Sequence, residues 1–153
     1  MKATEAISLE RVAINVPDKA PSALGCYSHA MKAGPFLFLS GQGARDPKTG
    51  REAGVTVNAD GTVESYDIAK QTHAVMRNII TVLQAGGCTL QDVVEVNVYL
   101  THMKDFHDYN KVYAEYFSFE NPPVRTTIEA RPPGYNFIEM RVVALCPAKA
   151  AAN

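Results

Sequence analysis

The fold is most apparent between residues 65 and 100, which read SYDIAKQTHAVMRNIITVLQAGGCTLQDVVEVNVYL. In the first half, residues suited to burial recur at alternating spacings of three and four, which is the period of one helix face. They are Ile68, Thr72, Val75, Ile79 and Val82. Ser65 or Asp67 can cap the first turn, and Gly86-Gly87 can end the last. This half predicts a helix with one face against a core.

The second half of the stretch predicts a strand. From Val93 to Leu100 the side chains alternate along the chain, which is the pattern of a strand with one buried face. The predicted buried face carries Val94, Val96, Val98 and Leu100, and the other face carries Glu95, Asn97 and Tyr99.

Further elements are predicted on both sides. Alternation or apolar runs predict strands over 11–16, 35–41, 125–130 and 137–145, and turn residues predict a hairpin around 55–63. A second helix over 105–117 has an aromatic stripe at the spacing of a core face: Phe106, Tyr109, Tyr113, Tyr116 and Phe117. The element order predicts an α+β fold, a mixed β-sheet with two helices packed on one face.

Length, charge and cysteine content narrow the class of protein. A chain of 153 residues is expected to form one domain, 1–153, with flexible ends at about 1–10 and 148–153. Its 15 Lys and Arg against 16 Asp and Glu, without a basic run, argue against nucleic-acid binding. Three cysteines without a CxxC pair, and the lack of an apolar span or leader, predict a cytoplasmic protein with no membrane partner.

Metal and nucleotide sites are not predicted. The four histidines, at 29, 73, 102 and 107, form no HExxH or other zinc-binding spacing. Gly41-Gln42-Gly43 follows a strand but leads into a turn, so no helix N-terminus is available there for a pyrophosphate. We therefore expect neither a metal nor an organic cofactor.

Two charged residues stand out because strands are predicted to hold them. Glu139 lies inside an alternating strand, where a carboxylate is either paired or used in chemistry. Arg125 opens another strand, where its guanidinium could bind a carboxylate at two points. Spacing alone also allows structural salt bridges, Arg125 with Glu129 or Glu139 with Arg141. Both interpretations stay open on these grounds.

Short motifs along most of the chain carry a family resemblance. They are Gly25-Cys26-Tyr27-Ser28-His29-Ala30, Phe38-Leu39-Ser40-Gly41-Gln42, Pro47-Lys48-Thr49-Gly50, Gln71, Asn78-Ile79, Asp92-Val93-Val94-Glu95, Asp105-Phe106, Tyr109-Asn110-Lys111-Val112-Tyr113, Pro123-Val124-Arg125-Thr126-Thr127 and Ile138-Glu139. In this order and approximate spacing they resemble the RidA/YjgF family of small enamine and imine deaminases.

The resemblance implies a fold, an assembly and a site. The fold would be chorismate-mutase-like, and the assembly a homotrimer with sites between subunits and no metal or organic cofactor. At the matching positions, Arg125 would hold a substrate carboxylate and Glu139 would position the hydrolytic water. Tyr27 and the backbone around Gly41 would shape the cleft, and Asn110 belongs to a recurring motif of the site.

A narrower similarity rests on Gly54-Val55-Thr56-Val57, Gly61-Thr62, Tyr66-Asp67-Ile68 and Arg125-Thr126-Thr127. Through these residues the chain resembles, within the family, 2-aminomuconate deaminase, an enzyme of bacterial aromatic and tryptophan breakdown. This similarity implies hydrolytic release of ammonia from 2-aminomuconate, whose second carboxylate would need Arg45 or Arg131. Two alternatives remain: a broad-specificity 2-iminobutanoate/2-iminopropanoate deaminase, and a non-catalytic ligand-binding or RNA-affecting protein.

The chain departs from the family pattern at two positions. Cys26 replaces a proline, and Arg141 replaces a second glutamate, so Arg141 could pair with Glu139 and lower its basicity.

Overall fold

A computed structural model describes residues 10–147 of the chain. The ends predicted to be flexible lie outside these residues, except for Glu10. The strands and helices are β1 (Arg11–Ile14), β2 (Ala30–Ala33), β3 (Phe36–Leu39), β4 (Val55–Val57), β5 (Val63–Tyr66), α1 (Ile68–Ala85), β6 (Val93–Leu100), α2 (Phe106–Tyr116), β7 (Val124–Glu129) and β8 (Ile138–Leu145). Neither helix has the length and apolar character needed to span a membrane, nor does any other helical segment of residues 10–147.

Helix α1 forms where the spacing predicts it. Asp67 is the N-cap, and its Oδ1 accepts a hydrogen bond from the Lys70 backbone N–H at 3.0 Å. The helix ends at Gly86, followed by Gly87 at φ 78°, a conformation that favours glycine. All five residues of the predicted face are buried, which confirms the helix and selects Asp67 as its cap over Ser65.

One six-stranded sheet lies under the two helices, in the order β1-β2-β3-β8-β6-β7. Neighbouring strands are antiparallel except β6 and β7, which are parallel and are connected through α2. Helix α1 packs against β8, β3 and α2, and its apolar face shares one core with Val96, Met140 and Val142. The predicted mixed sheet with two helices on one face is therefore confirmed.

Some predicted boundaries shift, and one strand was not predicted. Strand β2 pairs with both β1 and β3, although its sequence, Ala-Met-Lys-Ala, has no clear alternation of its own. Backbone pairing with two neighbours supports it where side-chain pattern does not. The predicted hairpin is present, with β4 and β5 forming a separate two-stranded sheet.

Strand β6 corrects one predicted buried residue. The register against β8 shifts between Val93, opposite Ala144, and Glu95, opposite Val143. This bulge inserts one residue, so Val93 turns into the core while Val94 is 40% exposed. The other three predicted core residues, Val96, Val98 and Leu100, are buried as expected.

Removing the α1 cap tests the helix. Asp67→Ala leaves the Lys70 N–H without its side-chain acceptor and is expected to lower the free energy of unfolding by about 1 kcal/mol. Asp67→Asn keeps the acceptor and is the matched control. Its free energy of unfolding is expected to fall by about a few tenths of a kcal/mol at most. Urea unfolding at one protein concentration measures both. Equal losses in the two variants would contradict the capping role.

Candidate active site

Arg125 projects from β7 to the helix side of the sheet. It lies opposite Val96 of β6, whose side chain is in the core, and residues paired across strands point to the same face. Its guanidinium Nη1 donates a hydrogen bond to Asn110 Oδ1 of α2 at 2.7 Å. Strand β7 and helix α2 therefore bring together two of the predicted site residues.

Aromatic rings of α2 surround the same guanidinium. Arg125 Cζ lies 4.5 Å from the ring centre of Tyr113, 5.6 Å from that of Tyr109 and 5.9 Å from that of Phe106. Burial raises the pKa of Tyr113 to about 12, so its ring stays uncharged beneath the cation. A cation over an aromatic face gains about 0.5–2 kcal/mol, depending on solvation. The rings thus help to fix the position of the guanidinium.

The aromatic stripe therefore does more than fill the core. Tyr109, Tyr113 and Phe117 are buried as predicted, but Phe106 is 39% exposed, which corrects the expectation that the whole stripe is core. The stripe also supplies the surface on which Arg125 lies. We call Arg125, Asn110 and the three rings the arginine half-site.

Arg125 has no carboxylate partner among residues 10–147. The alternative salt bridge with Glu129 is not formed, and Glu129 Oε2 instead accepts a hydrogen bond from the Met103 N–H at 2.7 Å. Asn110 provides one neutral acceptor for a group with five N–H donors. The positive charge and most of its donors therefore remain available to an external carboxylate.

Glu139 lies in a cleft of about 740 Å³ on the face of β8 away from the helices. Tyr27, Ser40, Gly41 and Arg141 also line this cleft. A Cβ on Gly41 would come within 2.9 Å of Glu139 Cδ, so only glycine lets the carboxylate lie this close to the backbone. We call Tyr27, Gly41 and Glu139 the glutamate half-site.

The carboxylate of Glu139 is unpaired within the described part of the chain. Arg141 lies on the same face two residues along, yet it forms no salt bridge with Glu139, so the predicted pairing is wrong. Burial instead raises the pKa of Glu139 above its ordinary value of 4.5. The expected loss of basicity is therefore reversed, because desolvation favours the protonated carboxyl.

Tyr27 forms the outer wall of this cleft. Its side chain is 49% exposed, and its hydroxyl oxygen accepts a hydrogen bond from the Leu24 N–H at 3.0 Å. The Tyr27 N–H donates to Gly25 O at 2.9 Å, which closes a three-residue turn around Cys26. The turn thus forms with Cys26 at its centre, and Cys26 is a free, exposed thiol in the cleft wall.

The two half-sites of one chain face away from each other. Val96 lies opposite Arg125 on one side and Val142 on the other, and Glu139 comes three residues before Val142. Because side chains alternate, that odd offset turns Glu139 to the opposite face of the sheet from Arg125. Their backbones are also about 10 Å apart across two strands and about 10 Å apart along them. One chain therefore does not bring Arg125 and Glu139 together.

A larger cleft elsewhere is less suited to chemistry. It measures about 1030 Å³ and lies between β5, α1 and α2, around the stacked rings of Tyr66 and Phe137. Most of its carboxylates have partners: Asp67 with Lys70, Asp108 with Lys111, Glu115 with His73, and Asp105 with the Tyr66 hydroxyl. No group of three or more His, Cys, Asp or Glu within residues 10–147 is placed to bind a metal.

Comparisons with known proteins identify the family. The family model described as Endoribonuclease L-PSP matches residues 17–146. A RutC family protein of Pyrococcus horikoshii is 43% identical over 128 residues, which cover 83% of this chain and 92% of that protein. The chain belongs to the RidA/YjgF family. Reactive Intermediate Deaminase A, chloroplastic, of Arabidopsis thaliana is 34% identical over 127 residues, 83% of this chain and 62% of that protein.

Solved structures confirm the fold of this RidA/YjgF chain. RidA from the Antarctic bacterium Psychrobacter sp. has a TM-score of 0.75 and 31% identity, covering 88% of this chain and 98% of that one. The YjgF gene product of E. coli has a TM-score of 0.74 and 27% identity, with the same coverage. The predicted chorismate-mutase-like α+β fold is thereby confirmed.

Two RidA/YjgF motif residues of α1 hold the backbone beside the glutamate half-site. Gln71 donates through Nε2 to Tyr135 O at 2.8 Å and accepts through Oε1 from the Phe137 N–H at 2.7 Å. Asn78 donates through Nδ2 to the carbonyl oxygens of Gly43 and Arg45, each at 2.9 Å. Buried amides at these positions thus fix the two segments that flank Gly41 and Glu139.

Asn136 is a supporting residue that the sequence analysis missed. It is buried, its Oδ1 accepts from the Ala44 N–H at 2.7 Å, and its Nδ2 donates to Pro133 O at 2.8 Å. A Cβ on Gly43 would come within 2.7 Å of Asn136 Cγ, so the glycine allows this close packing. An asparagine just before a strand is typical of a turn, so the sequence pattern did not indicate this supporting role.

The two arginines predicted for a second carboxylate lie in different places. Arg45 borders a small cavity beside Tyr27 and Glu139, but its Nη2 already donates to Ser22 O at 2.5 Å. Arg131 is exposed and lines a different cavity, which contains neither Arg125 nor Glu139.

The raised pKa of Glu139 predicts a pH-dependent stability difference. A carboxyl whose pKa is higher in the folded than in the unfolded chain stabilises the fold when protonated, and this contribution is lost as pH rises through the folded pKa. Glu139→Gln, which is uncharged, is therefore expected to have the higher free energy of unfolding at about pH 7, with the difference shrinking below about pH 4.5. Denaturant unfolding across this range measures it.

The exposed Glu120 supplies the control. Glu120→Gln is expected to show no gain at neutral pH. A Glu139→Gln protein less stable than wild type at about pH 7 would contradict the desolvated, unpaired carboxylate.

Proposed function

We propose that this RidA/YjgF chain is a hydrolytic deaminase that releases ammonia from 2-imino acids formed by tautomerisation of enamines. The observation that carries the proposal is the pair of unsatisfied charges. Arg125 is held by neutral groups and lacks a carboxylate, and Glu139 is a partly buried carboxylate that lacks a cation within residues 10–147. A carboxylate-bearing substrate that needs a proton acceptor suits this combination. The relative named Reactive Intermediate Deaminase A supports the reaction class.

We further propose that sites form between subunits of a homotrimer. A neighbouring copy would place its arginine half-site against the glutamate half-site, since one chain holds them on opposite faces. Apolar side chains on the uncovered side support an assembly: Val124 is 70% exposed and Ile128 is 47% exposed, both on the edge strand β7. In a closed, symmetric trimer every arginine half-site then faces a glutamate half-site of a neighbouring copy, so that each site is complete.

The proposed reaction starts with the substrate carboxylate on Arg125, which places the adjacent imine carbon beside Glu139 of the neighbouring copy. Glu139 accepts a proton from a water molecule as the water oxygen bonds to that carbon. Glu139 returns this proton to the former imine nitrogen, which completes the tetrahedral carbinolamine. The carbinolamine hydroxyl then gives its proton to nitrogen through Glu139, the C–N bond breaks as the C=O bond forms, and ammonia leaves with a 2-oxo acid as the other product. A carboxyl pKa raised by burial brings this base closer to neutral pH, where proton transfer is most effective.

The specific substrate that we propose is 2-aminomuconate. Sequence similarity to that branch in the β4–β5 hairpin, the start of α1 and Arg125-Thr126-Thr127 supports it. Small 2-imino monocarboxylates are the second candidate, because Arg125 by itself anchors one carboxylate. A role on RNA is disfavoured by the net charge of -1 and the absence of a basic run in the sequence.

Substituting Arg125 tests the anchoring role. Arg125→Ala removes a two-point contact to the substrate carboxylate and is expected to lower kcat/KM for ammonia release about 100-fold. Arg125→Lys keeps the charge without the planar guanidinium, so its kcat/KM is expected to lie between those of wild type and Arg125→Ala. The measurement is ammonia release from 2-imino acids made in situ by an amino-acid oxidase.

Arg51→Ala, at an exposed turn, is the matched control and should retain the wild-type rate. Wild-type activity in Arg125→Ala would contradict the proposed function.

A further inference from the structure

Arg141 places a cation in the glutamate cleft. It lies on β8 two residues beyond Glu139, on the same sheet face, and is partly buried in the cleft wall with Tyr27 and Gly41. Successive residues on one strand face are about 7 Å apart. A proton acceptor and a guanidinium thus line one cleft from backbone positions about 7 Å apart.

The guanidinium of Arg141 has no hydrogen-bond or ion-pair partner within residues 10–147. Two carboxylates share its face. Glu139 is not paired with it, and Glu95 of β6 accepts a hydrogen bond from Asn97 Nδ2 at 2.5 Å, where Asn97 is the residue directly opposite Arg141. A partly buried guanidinium with unused donors favours an external anion.

We propose that Arg141 binds the distal carboxylate of a dicarboxylic 2-imino acid and makes the enzyme selective for such substrates. This inference rests on the proposed function, which assigns the first carboxylate to Arg125. An extended chain covers about 3.5 Å for every three bonds, so a substrate of about six carbons reaches from the imine carbon beside Glu139 to Arg141. The substrate class is therefore a dicarboxylate of about that length.

Arg141 suits this role better than the two arginines suggested by sequence. Arg45 Nη2 is already bound to a backbone carbonyl, and Arg131 does not line the cleft of Glu139. Arg141 lines that cleft and has its donors unused among the described residues.

The test compares substrates that differ only at the distal end. Six-carbon 2-iminoadipate and 2-iminohexanoate, made in situ by an oxidase, carry two carboxylates and one. In wild type we expect kcat/KM to favour the dicarboxylate about 10- to 100-fold, because only the dicarboxylate forms charge-assisted hydrogen bonds with Arg141. Arg141→Gln is expected to abolish this preference through KM for the dicarboxylate, with monocarboxylate turnover within about twofold of wild type.

Arg141→Lys retains the charge and should restore part of the preference, which separates charge recognition from a packing defect. Thermal unfolding of both variants checks that they fold. Equal changes for the two substrates in Arg141→Gln, or an unchanged preference, would overturn the inference.

A binding measurement separates this inference from the proposed function. Calorimetry with adipate and hexanoate reports the distal contact without turnover, and Arg141→Gln should weaken adipate binding alone. If neither imino acid releases ammonia yet adipate binding depends on Arg141, the deaminase proposal fails and the distal anion site stands. If adipate and hexanoate bind alike to wild type, the distal site fails.

Discussion

The alternation of side chains across one mixed sheet is the constraint on which this molecule depends. Strand pairing fixes Arg125 at the level of Val96 and Val142 and turns Glu139 to the other face. Glu139 cannot change face without a one-residue slip of β8 that would also expose the core residues Met140 and Val142. Arg125 keeps its face through the register of β7 with β6. The separation of the two charges is therefore as firmly determined as the hydrophobic core. We therefore propose that a site using both is completed by another chain.

Polar contacts position each half-site separately. Asn110 and three aromatic rings of α2 hold the guanidinium of Arg125 without neutralising it. Gly41 lets the carboxylate of Glu139 lie against backbone that buried amides of α1, and Asn136, keep in place. Arg125 thus keeps its capacity to bind an anion, and Glu139 keeps its capacity to exchange a proton. An internal salt bridge would have removed both capacities.

Local pattern predicted much of the fold and less of the site. Helix α1 has a strong period and a capping aspartate, so its bounds follow from sequence; β2 has no period of its own and depends on its neighbours. The bulge at Val94 arises from pairing with β8. The alternation of residues along a single strand carries no information about that pairing. Placement in predicted strands singled out Arg125 and Glu139, and the family resemblance implied their roles. Their opposite faces and the unpaired state of Arg141 emerge only from strand register and packing.

Subunit complementation tests most directly whether the site is shared between chains. Arg125→Ala and Glu139→Gln, each expected to be nearly inactive alone, are unfolded and refolded together in equal amounts, and mass spectrometry confirms mixed assemblies. If each site takes Arg125 from one chain and Glu139 from its neighbour, about one site in four contains both native residues, and activity should return to about a quarter of wild type. Mixed assemblies with no more activity than the two parents would contradict the shared site.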